Sequence, residues 1–153
     1  MNNIQRKQLI IQDKKTVELL NEVSSFDETS IIFSGNQDEK LLKKIKESTF
    51  ESLEKKRKID QWILNIPGLS GRKYRNLINN LISKLKNPSY LEIGSFTGST
   101  ACSAAAKNNL QITCIDDWSQ NFFKEIDPKE EFNKNINKCI TSTSSLNVIS
   151  KDF

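Results

Sequence analysis

The 153-residue sequence predicts an α/β chain in which helices lead into a doubly wound parallel sheet. Three observations carry that prediction. After Pro88, short apolar runs alternate with helical patterns. A turn containing glycines joins the first of those runs to the helix that follows. Before Pro88 the apolar residues recur mostly at helical spacing.

The elements follow in order. Residues 4–24 read as a helix, because Ile10, Val17, Leu20 and Val23 fall near one face while Lys14, Lys15 and Glu18 face outward. Residues 29–33 form a candidate short strand, ended by Ser34, Gly35 and Asn36. A second helix begins near Asp38, the expected N-cap, with Leu41, Leu42, Ile45, Thr49 and Leu53 at helical spacing. Its pattern either runs on to Ile63 or breaks near Lys55. Pro67 biases Ile66 out of the helical region and Gly68 permits a turn, so the chain stops there. A third helix over residues 70–86 carries an apolar stripe of Tyr74, Leu77, Ile78, Leu81, Ile82 and Leu85. The sheet region then reads as strand 90–93, turn 94–98, alanine-rich helix 99–107 and strand 111–115. A polar helix over 128–138, opened by Pro128, and a strand over 146–150 complete it. The organisation is a helical extension, 1–65, and a sheet domain, 66–153.

Composition narrows the chemistry. Hydrophobic residues make up 36 % and charged residues 27 %, enough for a core in a polar chain. No apolar run is long enough to cross a membrane, and the first residues carry charges and amides where a signal peptide needs an apolar stretch. The sequence therefore predicts a cytoplasmic chain. It has no histidine, which excludes a Ser-His-Asp triad, histidine metal ligands and a histidine general base within these residues. Cys102, Cys114 and Cys139 are odd in number and lack CxxC spacing, so no disulfide framework or metal site is expected; Cys102 and Cys114 read as small buried apolar residues. The net charge of +4 is uneven: residues 1–90 carry 17 Lys and Arg against 11 Asp and Glu. The clusters at residues 55–58 and 72–75 read as solvated helix faces. They lack interleaved aromatics, so nucleic acid is not an expected partner.

The chemistry sits in LEIGSFTGST, residues 91–100. Glycines there let a ligand approach the backbone, and amides at the start of the next helix favour an anionic group. Gly94 and Gly98 give GxxxG where a dinucleotide site shows GxGxxG. Glu92 at the strand end suits a ligand with an ammonium group. About twenty residues on, Asp116 ends the second strand, where a carboxylate accepts both hydroxyls of a ribose. Ammonium, carboxylate and ribose together describe S-adenosylmethionine better than NAD.

Residues 91–100 resemble the first motif of the class I S-adenosylmethionine-dependent methyltransferases, and CIDDW, residues 114–118, resembles their second. The segment 66–75 is similar to the lead-in helix of small members. The resemblance covers roughly residues 60–153. It implies a Rossmann-like sheet, present here in part with strand order 3-2-1, and S-adenosyl-L-methionine as cofactor. It implies that Glu92 approaches the methionine ammonium, that Gly94, Ser95 and Gly98 line the methionine part, and that Thr100 meets its carboxylate. Asp116 would bind the ribose and Trp118 would cover the adenine, although the family more often uses the residue at Asp117 for that. Asp152 matches a position near the adenine amino group. The later strands, which bring the acceptor-facing residues, have no counterpart, so no catalytic residue is assigned. The expectation is a cofactor-binding half, from a truncated enzyme or one completed by a second chain. A non-catalytic nucleotide- or protein-binding module, or an NAD-binding oxidoreductase fragment, are the alternatives.

Overall fold

The computed structural model describes residues 33–36, 38–54, 56, 58–120 and 125–151. The expected helix over 4–24 and most of the expected strand over 29–33 lie outside them, as does Asp152. The chain divides into two units, Met1–Ser34 and Gly35–Phe153, and every element below belongs to the second.

Three strands, β1 (Ser89–Ile93), β2 (Gln111–Asp116) and β3 (Ser145–Ser150), form a parallel sheet in the order β1-β2-β3. The connections are helices α4 (Ser99–Ala105) and α5 (Pro128–Cys139). Parallel strands require such crossovers, and right-handed crossovers stepping in one direction put both helices on one face. The chain is thus an α/β protein with a partial Rossmann-like sheet behind helices α1 (Lys40–Leu53), α2 (Gln61–Leu64) and α3 (Arg72–Ser83). Helix α3 packs between α1 and α4.

The sheet is two-faced. Tyr90 and Glu92 of β1 turn toward the helices, in register with Ile112 and Cys114 of β2. Beneath α4 and α5 these meet Ala101, Cys102, Ala104, Ala105, Phe132 and Ile136, all nearly inaccessible. Alanines in α4 let that helix lie close to the strands. On the other face Ile93, Ile115 and Ile149 form a row, and Leu91 and Ile93 are each 62 % exposed. Parallel sheets are ordinarily covered on both faces; here no described helix covers the second. Among the described residues β1 pairs with β2 alone, which leaves its other edge free.

Local departures have local causes. The N-cap of α1 is Glu39, whose carboxylate accepts from Leu42 N at 2.7 Å; Asp38 instead pairs loosely with Lys43. The α1 pattern ends at Leu53, and α2 is a separate turn of helix. In the expected stripe, carried by α3 and the residues just after it, Leu77, Ile78, Leu81 and Leu85 are partly buried and Ile82 is buried, but Tyr74 departs from it and polar residues are buried beside it. Tyr74 is exposed, while Arg75, Asn76, Asn79, Asn80 and Ile82 are buried. A helix between two others has no single solvent face, and its amides serve orphan carbonyls. Asn79 Nδ2 donates to Ser103 O and Ala106 O at the end of α4, at 2.8 and 2.9 Å. Asn80 Nδ2 donates to Lys56 O just past α1 at 3.0 Å.

Cys102, Cys114 and Cys139 are free and buried. Burial pushes the Cys114 thiol up to about 12, so it stays protonated at neutral pH.

Candidate functional site

The turn after β1 is held from three sides. Gly94 has φ +79° and still donates its N–H to Ile115 O of β2 at 2.9 Å. Gly98, at φ +83°, opens α4, and a Cβ there would stand 3.1 Å from Phe132 Cδ2. Glycine is needed at that position both for the left-handed backbone and for the approach of α5. Thr97 is fully buried. Its hydroxyl donates to Pro67 O of the loop before α3, and its carbonyl accepts from Asn135 Nδ2 of α5 at 3.0 Å.

Asp116 ends β2 and clamps the neighbouring loops. Its Oδ2 accepts from Phe96 N and its Oδ1 from Trp118 N, each at 2.7 Å. Both donors have positive φ, +48° at Phe96 and +56° at Trp118, a conformation that non-glycine residues seldom hold without support. Trp118 Nε1 adds a bond to Phe96 O at 2.9 Å, and its ring packs on Phe132 at 5.4 Å. Asp116 retains a free lone pair on each oxygen for a ligand.

A cavity of about 530 Å³ opens at the carboxyl ends of β1 and β2, the usual ligand position in such sheets. The turn contributes Gly94 and Ser95 to its wall, the start of α4 contributes Ser99 and Thr100, and the end of β2 contributes Asp116 with Asp117 just beyond it. Gly94 presents bare backbone there: a Cβ on it would meet nothing within 4 Å. Asp117 is exposed, and hydrogen bonds from the Ser119 hydroxyl and amide hold its carboxyl below the usual range. Of the residues expected to bind cofactor, Gly94, Ser95, Thr100 and Asp116 line this one cavity. Gly98 lies behind the wall. Trp118 borders a different, shallower groove with Asp127 and Lys129. Its indole already serves Phe96 and Phe132.

Glu92 also lies behind the wall, beneath Ser95 and Thr100, with 8 % exposure. Tyr90 donates its hydroxyl to Glu92 Oε2 at 2.6 Å, and Oε1 has no hydrogen-bond partner among the described residues. Burial raises the Glu92 carboxyl above its ordinary value. The nearby Thr100 hydroxyl, the Tyr90 hydroxyl bonded to Glu92, and the neighbouring Ser95 hydroxyl and Ala101 amide oppose that rise, and of these only Tyr90 meets full hydrogen-bond geometry. A raised folded-state value means that the folded chain holds this proton more tightly than the unfolded chain. Stability is then full below the unfolded carboxyl range and is lost as pH rises toward and through the folded value. Glu92→Gln, which cannot ionise, should gain stability relative to the parent chain as pH goes from 4 to 7. Urea titrations of both chains at the two pH values check this, and a pH-independent difference would contradict it.

The loop before α3, where the sequence shows a stop and the start of a lead-in segment, places Gly68, Leu69 and Ser70 along one side of the cavity. Any Cβ on Gly68 would collide with Ser99, so the loop reaches α4 only as glycine. Arg75 secures it. The basic cluster at 72–75 is not wholly a solvated face: Arg75 is 3 % exposed. Its Nη1 donates to the carbonyls of Ile63, Leu64 and Ile66, and its Nε to Ser70 Oγ at 2.9 Å. Burial, then the charge of Arg72, lowers its pKa, but a guanidinium stays protonated throughout the working range. The sequence clue was an arginine inside an amphipathic helix a few residues after a Pro-Gly stop, too common a pattern to single out.

Among the described residues no cluster of histidine, cysteine or acidic side chains is placed to hold a metal, and no helix is long and apolar enough to cross a membrane. No protein-family model matches the chain, and no curated protein matches it.

Proposed function

We propose that the cavity at the ends of β1 and β2 binds S-adenosylmethionine, and that this chain carries the cofactor-binding part of a class I methyl-transfer site. The observation that carries the reading is the meeting of Gly94 and Asp116 on one cavity wall, in the two motifs whose resemblance suggested the cofactor. Its size lies within the range of small-molecule and cofactor pockets, roughly 300–1,000 Å³, and the residues present fit such a group. Asp116 offers two lone pairs to a diol. The bare Gly94 backbone leaves room against the turn. Glu92 lies behind Ser95 and Thr100 with an unpartnered oxygen, and an ammonium group bound there would favour its ionised form.

When bound, the cofactor supplies an electrophilic methyl group on sulfonium. The chain's own part is positioning: it fixes the ribose through Asp116 and excludes Cβ atoms from the turn. The acceptor, an O or N nucleophile, and any base for it are assigned to no residue here. A second chain that completes the sheet would pair with the free edge of β1 and cover Leu91 and Ile93.

Calorimetric titration with S-adenosylhomocysteine, with NAD as control, tests the reading. One-site, saturable binding of S-adenosylhomocysteine without NAD binding is expected. Binding of NAD alone would replace the reading with a dinucleotide site.

A further inference from the structure

The cavity wall carries two chemically different sets of groups. Asp116 and Asp117 present carboxylates, while Ser70 and Ser99 present hydroxyls 3.4 Å apart. We infer that the Ser70–Ser99 pair, held by Arg75, is the anion-recognising wall of the cavity and takes the ligand's carboxylate. The inference rests on the cofactor reading above and adds which groups meet the acidic end of the ligand.

The hydroxyls must act as donors. Ser70 Oγ accepts from Arg75 Nε at 2.9 Å, so its own hydrogen is directed elsewhere. The contact between the two hydroxyls uses at most one of their two hydrogens. Neither hydroxyl makes another hydrogen bond among the described residues, so at least one O–H is left for an acceptor in the cavity.

Charge points the same way. Arg75 is buried and forms no ion pair with a carboxylate among the described residues; its partners are three neutral carbonyls and a hydroxyl. Its charge is weakly screened there and reaches the cavity through Ser70. An anionic group against Ser70 gains from this field, and a neutral group does not. Arg75 does not line the cavity and is a positioning residue. It also fixes Ser70 against Gly68, whose lack of a Cβ lets the loop and Ser99 meet. Thr100, given the carboxylate by the family resemblance, also lines the cavity, and its hydroxyl lies beside Glu92 and Tyr90.

The test compares two ligands that differ only at the end in question. S-adenosylhomocysteine carries the amino-acid group; 5′-methylthioadenosine has the same nucleoside and sulfur without it. The full chain, Ser70→Ala and Ser70→Thr are titrated with each by calorimetry. Ser70→Ala is expected to weaken S-adenosylhomocysteine about tenfold, the scale of one hydrogen bond to a charged group. Binding of 5′-methylthioadenosine should change less than about twofold on the same basis. Ser70→Thr, which keeps the hydroxyl, should restore most of the loss. Equal loss for both ligands, or no loss for S-adenosylhomocysteine, overturns the inference while leaving the cofactor reading in place. Failure of the parent chain to bind either ligand overturns both.

Discussion

Asp116→Ala is expected to reduce affinity for S-adenosylhomocysteine at least 100-fold, a loss that combines two effects. A carboxylate that accepts from a diol makes hydrogen bonds to a charged group, each worth about 1.5–3 kcal/mol. The same carboxylate holds Phe96 and Trp118 in left-handed conformations through their amides, and Phe96 itself lines the cavity. Without it the turn relaxes and the wall changes shape. Asp116→Asn separates the two contributions. An asparagine oxygen still accepts from one of the two amides, but the side chain no longer offers two acceptors to a diol. Asn should therefore recover much of the stability and little of the affinity. Urea denaturation and calorimetry on the three chains measure both. Near-parental affinity in Asp116→Asn would mean that Asp116 is a purely structural clamp.

Arg75→Met is expected to lower stability by about 3–5 kcal/mol, because several buried acceptors lose their donor at once and each orphaned group costs about 1–3 kcal/mol. Removing an unpaired buried charge offsets part of that sum. Domains of this size are stable by about 5–15 kcal/mol, so the variant should unfold at much lower urea and leave the lead-in loop detached from α2. Arg75→Lys keeps the charge but cannot reach three carbonyls and a hydroxyl from one planar fork, so it should recover only a minor part. A loss below about 1 kcal/mol for Met would show that water replaces the guanidinium at those carbonyls.

The order of the sheet elements was legible because each announces itself locally. Expected strand 111–115 and helix 128–138 differ from β2 and α5 by one residue at an end. Pro128, with Asp127 accepting from Lys129 N and Glu130 N, marks the start of α5 by rules that need no tertiary knowledge. The glycine turn and Asp116 were legible for the same reason: a strand, a tight turn and an acid at the next strand end form a pattern along the chain. What stayed hidden depends on partners distant in sequence. Nothing near Arg75 tells that it serves carbonyls 9 to 12 residues back. Nothing near Asn79 tells that it ends a helix 24 residues on. Gly68 looked like a turn residue, and only the packed chain shows that its missing Cβ makes room for Ser99. Nothing near Trp118 tells that its indole N–H donates to Phe96 O, 22 residues back.

Backbone amide chemical shifts, followed as S-adenosylhomocysteine is titrated into the isotopically labelled 17.5 kDa chain, test the central claim most directly. The account predicts saturable shifts confined to residues 68–70, 94–100 and 116–120, with Gly94 and Phe96 among the largest. Shifts centred instead on the groove formed by residues 87–88, 109–111 and 142–145, or none at saturating ligand in a folded chain, would contradict it.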